Sequence, residues 1–527
     1  MLEDFADVIL AHCTLLALHR FMHGFVILID SEKNWLDLPS HIYEEVKGKT
    51  LVEHLLEQVG SFLFPVVLSI FKGDPKRLFW EEVGNKSTGI SLLFTNEKNE
   101  TRRVKEAADH LNLDHIIRLS GDNPILGHSI IPRGLKALES NDYAFSYGYP
   151  VGIQLEFLNR KVLDLCEGIQ SPKRIREIVR NDLVKQLQIA PLQPQTAELS
   201  RPELRWTTGT SQDCQLVSKM LETANREDLS SLRAMMKVHE KIQTDYLPMP
   251  TMVNIEPTNK CNLKCVMCPR DEMERSLGTM SMDTFRKVAD ECAEMGVNLI
   301  TLNGYGEPFI SDNIFEMIDY AMRIGLQVKI NTNGHYLNEK NVNRLLMSPP
   351  THLSISLDGA TKETYEKVRI RGNFERVMKN LETLLELRRL NPHSTMKVSL
   401  QIIRMDETEE EIEQFKSEWK DRVDEISIPN VHNWGGVFKE SGALGEQNLN
   451  RFPCRELWRT MMVFCDGSTS ICCAVFDDNM NMGNIAQKSL KEIWKGSDYQ
   501  KLRELHLSGR YDEIDICKDC NMWKVQG

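Results

Sequence analysis

Between residues 252 and 428 the chain repeats one rhythm, a short candidate strand followed by a helical pattern. The expected strands are 252–256, 297–302, 327–331, 352–357, 397–403 and 424–428, with helices over 283–295, 313–324, 338–347, 373–390 and 408–420. Asp283 and Ser311 or Asp312 read as N-caps, and Gly296 and Gly325 as helix ends. Six such units in succession predict an α/β fold built on a parallel sheet, a partial (β/α)6 barrel. In barrels of this kind the functional groups gather at the C-terminal ends of the strands.

The loop after the first of these strands reads Cys261-Asn262-Leu263-Lys264-Cys265-Val266-Met267-Cys268. Of thirteen cysteines, these three are crowded together and six more lie between Cys454 and Cys520. Cys13, Cys166, Cys214 and Cys292 are scattered. The apolar stretch Val8 to Leu16 comes after Glu3, Asp4 and Asp7 in place of a basic region, so it reads as a helix packed on the N-terminal domain of a cytoplasmic protein. In a reducing compartment, clustered cysteines are metal ligands or catalytic groups more often than disulfides. Three thiolates on one loop suit an iron–sulfur cluster with one iron left open to a small molecule. A zinc ion is the lesser alternative, since it wants a fourth protein ligand and the loop offers no His or Asp, and unliganded cysteines are the remaining one.

Lys and Arg total 64 against 76 Asp and Glu, a net charge of −12, which argues against a broad basic face for nucleic acid. No apolar run reaches 18 residues, so no membrane span is expected. Ahead of the barrel, Gly24–Asp30, Val66–Ile70, Ser91–Phe94 and His115–Leu119 read as strands alternating with helices, an α/β layer domain with a mainly parallel sheet. The expected domains are 1–224, a helical linker 225–250 ending at Pro248-Met249-Pro250, the barrel 251–436, and a cysteine-rich region 437–527. In the last, after Gly435-Gly436 and the segment Ser441 to Asn450, periodicity fades. A region with so little apparent core calls for a metal staple.

The CxxxCxxC spacing after the first barrel strand resembles the radical S-adenosylmethionine (SAM) superfamily. In that family a [4Fe–4S] cluster on Cys261, Cys265 and Cys268 would bind SAM and split it to methionine and a 5′-deoxyadenosyl radical, which takes a hydrogen atom from substrate. Met267 stands where an aromatic is common, as in a subgroup reading CNLxCxMCPR. Gly304-Tyr305-Gly306-Glu307-Pro308 is similar to the family's GGEP motif, with Tyr305 in place of its first glycine. The resemblance implies that Gly304, Gly306, Glu307 and Pro308 meet the SAM amino group. Asn333 and Asp358 lie on the corresponding loops of the next two strands, and Ser356 and Arg369 match positions that hold the SAM carboxylate. Taken alone, Thr332-Asn333-Gly334 is a turn and the Asp358-Gly359 loop a helix cap.

Cys454, Cys472, Cys517 and Cys520, separated by 18, 45 and 3 residues, sit among signatures that resemble the SPASM/twitch auxiliary-cluster domain, most of all its short twitch form. That implies one auxiliary [4Fe–4S] cluster and, with the first, two in all. Cys472 takes the ligand position in preference to Cys473. Cys465 and Cys473 are then spare, as buried small hydrophobes or as hydrogen-atom donors.

His115 to Pro124 and Gly152 to Glu156 resemble spore-coat-polysaccharide-type cytidylyltransferases, with a glycosyltransferase-A-like fold over about residues 24–222. Asp122 matches their metal-binding aspartate, and Glu156 falls in the second motif as part of a vestigial nucleotide or metal site. The segment Asp37-Leu38-Pro39-Ser40-His41 lacks the two basic residues and the glycine that grip phosphate in such enzymes, and Gly209 stands where a second aspartate belongs. A degenerate domain is expected.

The combined resemblance implies an enzyme that dehydrogenates or epimerises a carbohydrate, aminocyclitol or nucleotide-linked sugar, with flavodoxin or ferredoxin as electron donor. In the dehydrogenation, a protein base takes the hydroxyl proton and the auxiliary cluster takes the remaining electron. His335, His432 and Arg404 are the candidates for that base. Peptide modification, and a bifunctional enzyme with an active cytidylyltransferase, are the alternatives.

Overall fold

The computed structural model describes residues 21–30, 41–169, 174–184, 186–242, 247–437 and 450–525. Three sequence features lie outside the described residues: the apolar stretch at 8–16 with Cys13, residues 37–40 of the phosphate-grip segment, and 441–449. The chain divides after Pro248 into two compact units. No helix among the described residues is long and apolar enough to cross a membrane.

The first unit is a seven-stranded mixed sheet in the order Ile90–Thr95, Val66–Phe71, His23–Leu28, His115–Ser120, Glu156–Asn159, Tyr143–Ser146, Ile189–Leu192. The first four strands are parallel, and the apolar runs that mark them are buried, with Phe25, Val26 and Ile27 fully so. The last three strands escape sequence reading. Glu156–Asn159 runs antiparallel to both its neighbours and carries a buried charge, so its apolar pattern is broken. Ile189–Leu192 contains Pro191, which only an edge strand tolerates.

The stretch expected to be a linker is instead part of the first unit. Ser231 caps the helix Leu232–Lys241, which buries Leu232, Met235, Met236 and Val238 in the core beside Trp206 and Met220. Its polar residues alternate with that apolar stripe at helical spacing.

The second unit holds a nine-stranded sheet. Six parallel strands run Glu425–Ser427, Lys397–Gln401, His352–Ser356, Gln327–Thr332, Leu299–Leu302, Met252–Ile255, with helices between them in sequence, so the partial barrel is present with its expected strands. The helix caps shift slightly from expectation. Ser281 caps Met282–Glu294 through the Thr284 N–H, and Asn313 precedes Ile314–Arg323. Gly296 and Gly325, at φ of 73° and 88°, take the left-handed turn that ends each helix.

The sheet does not stop at the barrel. Thr460–Val463 pairs parallel with the first barrel strand, Met252 facing Thr460, and a meander through Ser468–Ser470 and Gly483–Asn484 extends it. The cysteine-rich region thus continues the barrel sheet. It also has its own core, with Phe452, Trp494 and Tyr499 buried.

Candidate functional site: two sets of cysteines

Leaving the first barrel strand, the chain folds its cysteine loop against the segment after the fourth. Lys264–Cys265 pairs antiparallel with Arg369–Ile370, and the Val266 N–H donates to the Val368 carbonyl at 3.0 Å. Arg369 Nη1 lies 3.7 Å from Cys265 Sγ, and the Leu263 N–H lies 3.5 Å from Cys261 Sγ. Burial raises the thiol pKa of all three cysteines, Cys265 to about 11, with Arg369 pulling the other way. Such thiols hold their protons until a metal displaces them.

The spacing of the sulfurs tests which metal the loop fits. Among the described residues, the single trio of His, Cys, Asp and Glu whose ligand atoms all fall within 4.8 Å of one another is His41, Glu44 and Cys214. At least one pair of the loop sulfurs therefore stands more than 4.8 Å apart, wider than the roughly 3.8 Å that tetrahedral Zn–S bonds of about 2.3 Å require. Three cysteines on one loop with such a span fit a polynuclear cluster.

The loops expected to face SAM come together around these cysteines, though several of their side chains are engaged with protein. Glu307 is buried and accepts from Thr332 Oγ1 at 2.6 Å and the Asn333 N–H at 2.8 Å. Burial nevertheless holds its carboxyl above the usual carboxylate range. Asn333 Nδ2 donates to Asn262 Oδ1 at 2.9 Å, tying the third-strand loop to the cysteine loop. Gly306 leaves no room for a side chain, since a Cβ there would stand 2.2 Å from the Thr258 carbonyl oxygen. Gly304 is packed against Glu256, and Pro308 is buried at the start of a short 3-10 turn. Arg369 is committed to Asp358, with its Nε 2.9 Å from Oδ2, while Asp358 Oδ1 accepts the Ile403 N–H at 2.6 Å. Asp358 has φ 39°, a left-handed conformation held by those bonds. Ser356 ends the fourth strand, half-buried, opposite Gln401.

A second buried group escaped sequence reading. Glu256 continues the first strand, fully buried, and pairs with Arg275 through two bonds of 3.0 Å. It also receives the Tyr305 N–H and the Cys465 N–H, each at 3.3 Å. The one signal for it is a carboxylate directly after the buried strand Met252–Ile255, where an unpaired charge would be costly.

Cys454, Cys472, Cys473, Cys517 and Cys520 all line one cavity in the cysteine-rich region, together with Arg451, His506 and Trp523. The five thiols offer enough donors for four-sulfur ligation of a cluster, with one to spare. Burial raises every one of these thiols, Cys473 and Cys517 to about 12. Cys473 therefore sits with the auxiliary set. Cys465 is buried beside Glu256, and burial first, then Glu256, push its thiol up to about 12.

Two aromatic side chains join the cysteine sets. Tyr305, from the GGEP-like loop, donates its hydroxyl to the Cys473 carbonyl at 2.5 Å. Trp434 donates Nε1 to the Met267 carbonyl at 2.9 Å, and Asn433 beside it donates Nδ2 to the Asp519 carbonyl at 2.6 Å. The two rings lie 5.8 Å apart.

Of the three candidate bases, His335 accepts the Asn373 N–H at 2.9 Å through Nε2 and sets Nδ1 against Asn333 Oδ1, so both nitrogens are occupied. Arg404 is paired with Glu409. His432 alone has a buried ring nitrogen, Nε2, with no partner among the described residues, and burial lowers its pKa to about 4. In the first unit, Glu156 is taken up by Arg118 Nη1 at 3.1 Å and the Tyr143 hydroxyl at 2.9 Å. That engagement counts against a carboxylate pair with Asp122, whose Oδ2 has no partner among the described residues.

A partial barrel with three cysteines on the loop after its first strand is thus continued by a second cysteine set. Residues 255–418 match the radical SAM superfamily, and residues 454–521 match SPASM, an iron–sulfur cluster-binding domain. The chain carries both domains, and S-adenosylmethionine and [4Fe–4S] clusters are its cofactors.

Among curated relatives, the mycofactocin maturase MftC of Mycobacterium ulcerans is 36% identical over 138 residues, which is 26% of this chain and 37% of that protein. The chain thus spans little more than a third of the length of that relative. Among solved structures, BtrN in complex with AdoMet and 2-DOIA is 18% identical with a TM-score of 0.37, covering 52% of this chain and 93% of that one. A cytidylyltransferase from Leptospira borgpetersenii is 19% identical with a TM-score of 0.38, covering 43% of this chain and all of that one.

Proposed function

We propose that the protein is a radical SAM oxidoreductase that removes a hydrogen atom from a carbohydrate, aminocyclitol or nucleotide-linked sugar, giving dehydrogenation or epimerisation. The observation that carries this reading is the pair of cysteine sets, three on one barrel loop and enough around one cavity for a single fully ligated auxiliary cluster. Cys261, Cys265 and Cys268 would hold the first [4Fe–4S] cluster; Cys454, Cys472, Cys517 and Cys520, with Cys473 as the competing ligand, would hold the second. When bound, cluster and SAM together supply one-electron cleavage and a hydrogen-abstracting radical.

The chain's own residues shape the reaction around that chemistry. Gly304 and Gly306 let the second-strand loop press against the first. Glu307, oriented by Thr332 and Asn333, presents a carboxylate toward an ammonium group, and its raised pKa marks a group that gains from a cationic partner. Arg369, locked to Asp358, keeps positive charge beside Cys265. His432 Nε2 is the group free to take a substrate proton. A flavodoxin or ferredoxin would supply the electron. We read the first unit as a degenerate cytidylyltransferase-like domain, on its sequence motifs and on the engagement of Glu156.

A second reading, peptide modification, is favoured by the match to a maturase. Anaerobic incubation with SAM and dithionite, then chromatography for 5′-deoxyadenosine, tests the shared chemistry. Mass spectrometry on a panel of nucleotide sugars and free aminocyclitols, for loss of two hydrogens or for deuterium uptake at carbon, tests the substrate class. 5′-Deoxyadenosine with no change in any sugar, but with a modified peptide, would transfer the assignment to the second reading.

A further inference from the structure

A histidine, a glutamate and a cysteine meet in the first unit, apart from every residue discussed under the proposed function. His41 and Glu44 flank a turn closed by the Glu44 N–H on the His41 carbonyl at 3.1 Å. His41 Nδ1 lies 2.6 Å from Glu44 Oε1, and Cys214 Sγ lies 3.1 Å from Glu44 Oε2. The three ligand atoms fall within 4.8 Å of one another, and no other trio of such residues does so among the described residues.

The frame behind them is firm. Ile42 is buried and its carbonyl accepts the Val52 N–H at 3.1 Å, while the Leu51 N–H donates to the Glu44 carbonyl at 2.9 Å. Cys214 sits in the helix Ser211–Thr223, capped by Thr210 and anchored by buried Leu216 and Val217. Cys214 is 1% exposed, whereas half of the Glu44 side chain meets solvent, so an ion could enter from the carboxylate side.

We propose that His41, Glu44 and Cys214 form a three-ligand site for a zinc-class divalent cation. Nitrogen, oxygen and sulfur in one set select a borderline-soft ion over magnesium or calcium, which favour oxygen alone. Bonds of about 2.0–2.3 Å place tetrahedral ligands roughly 3.3–3.8 Å apart, so the present contacts need open by only about 1 Å. Binding releases the Cys214 thiol proton. The His41 ring remains neutral, its proton on the nitrogen facing away from the metal. A 2+ ion with one thiolate and one carboxylate is then electrically balanced, and water completes the tetrahedron.

The test uses the full chain with its iron–sulfur sites loaded, exposed to one equivalent of Zn2+, desalted against a weak chelator and measured for zinc and iron. About one zinc per chain is expected at unchanged iron, falling at least fivefold in Cys214→Ser, His41→Gln and Glu44→Gln. Glu44→Gln and His41→Gln, at exposed or half-buried positions, decide the matter if Cys214→Ser fails to fold. Zinc retained by folded variants, or none retained by the native protein, overturns the site. Because iron content and 5′-deoxyadenosine formation are read on the same samples, failure of the radical SAM reading shows separately.

Discussion

The two cysteine sets of the second unit reach their geometry by opposite routes. Cys261, Cys265 and Cys268 share one loop, pinned by a two-residue ladder to Arg369–Ile370. The auxiliary cysteines are drawn from Cys454 to Cys520, and what gathers them is a sheet that continues from the barrel, with Arg451 bonding the Cys517 and Lys518 carbonyls. A local set is fixed by spacing and survives as long as its loop does. A dispersed set exists only when the tertiary structure around it has formed, so in the second set metal binding and folding are expected to be one event.

The largest expected effect separates the sets outright. The Cys261/Cys265/Cys268→Ala variant should make no 5′-deoxyadenosine, with iron falling from about eight to about four per chain and thermal unfolding little changed. A Cys517/Cys520→Ala variant should lose the same amount of iron but also unfold its C-terminal region several degrees earlier by calorimetry. Equal destabilisation by the two variants would erase the contrast.

Next in size is the buried Glu256–Arg275 ion pair. Glu256→Ala leaves Arg275 charged, with its side chain 4% exposed, and should cost roughly 3–5 kcal/mol in denaturant unfolding. If the cost is below about 1 kcal/mol, the pair is not the anchor its burial indicates. Tyr305→Phe and Trp434→Phe each delete one hydrogen bond between the sets and should cost about 1–2 kcal/mol. The double variant should cost less than the sum if the two bonds act as a unit, because each single change already forfeits the shared interaction.

The smallest effect is set by pH. The Cys265 thiol is raised to about 11 by burial, so in the metal-free protein it stays neutral while its unfolded counterpart ionises near 8.5–9. Its contribution is fully present below about pH 8.5 and is lost as pH climbs toward 11. Metal uptake runs the other way, since each ligand must give up a proton. Chemical unfolding of metal-free protein between pH 8 and 10.5 should show stability falling, while iron loading rises over the same range.

Much of this was legible in the residues. The barrel strands announce themselves because short segments with buried Val, Ile and Leu recur between stretches of helical spacing. The GGEP-like loop, Asn333 and Asp358 could be placed because every functional loop comes directly after such a strand. The strands Glu156–Asn159 and Ile189–Leu192 could not, because a buried Glu156–Arg118 pair and an edge proline erase the pattern. Arg369 was visible as a motif position, but its engagement with Asp358 was not, since the two lie on different elements.

What the sequence determined by itself is the local chemistry: three thiols on one turn of chain, glycines where loops must touch, a helical stripe, a repeated strand. These depend on neighbours within a few residues, where backbone geometry leaves few choices. What the tertiary structure alone decided is everything carried by distant partners. The barrel sheet runs on into the cysteine-rich region, Glu256 meets Arg275, Tyr305 reaches Cys473, and five cysteines spanning residues 454–520 face one cavity. Closing such long loops is entropically costly, and only the burial and hydrogen bonding of the completed fold offset that cost.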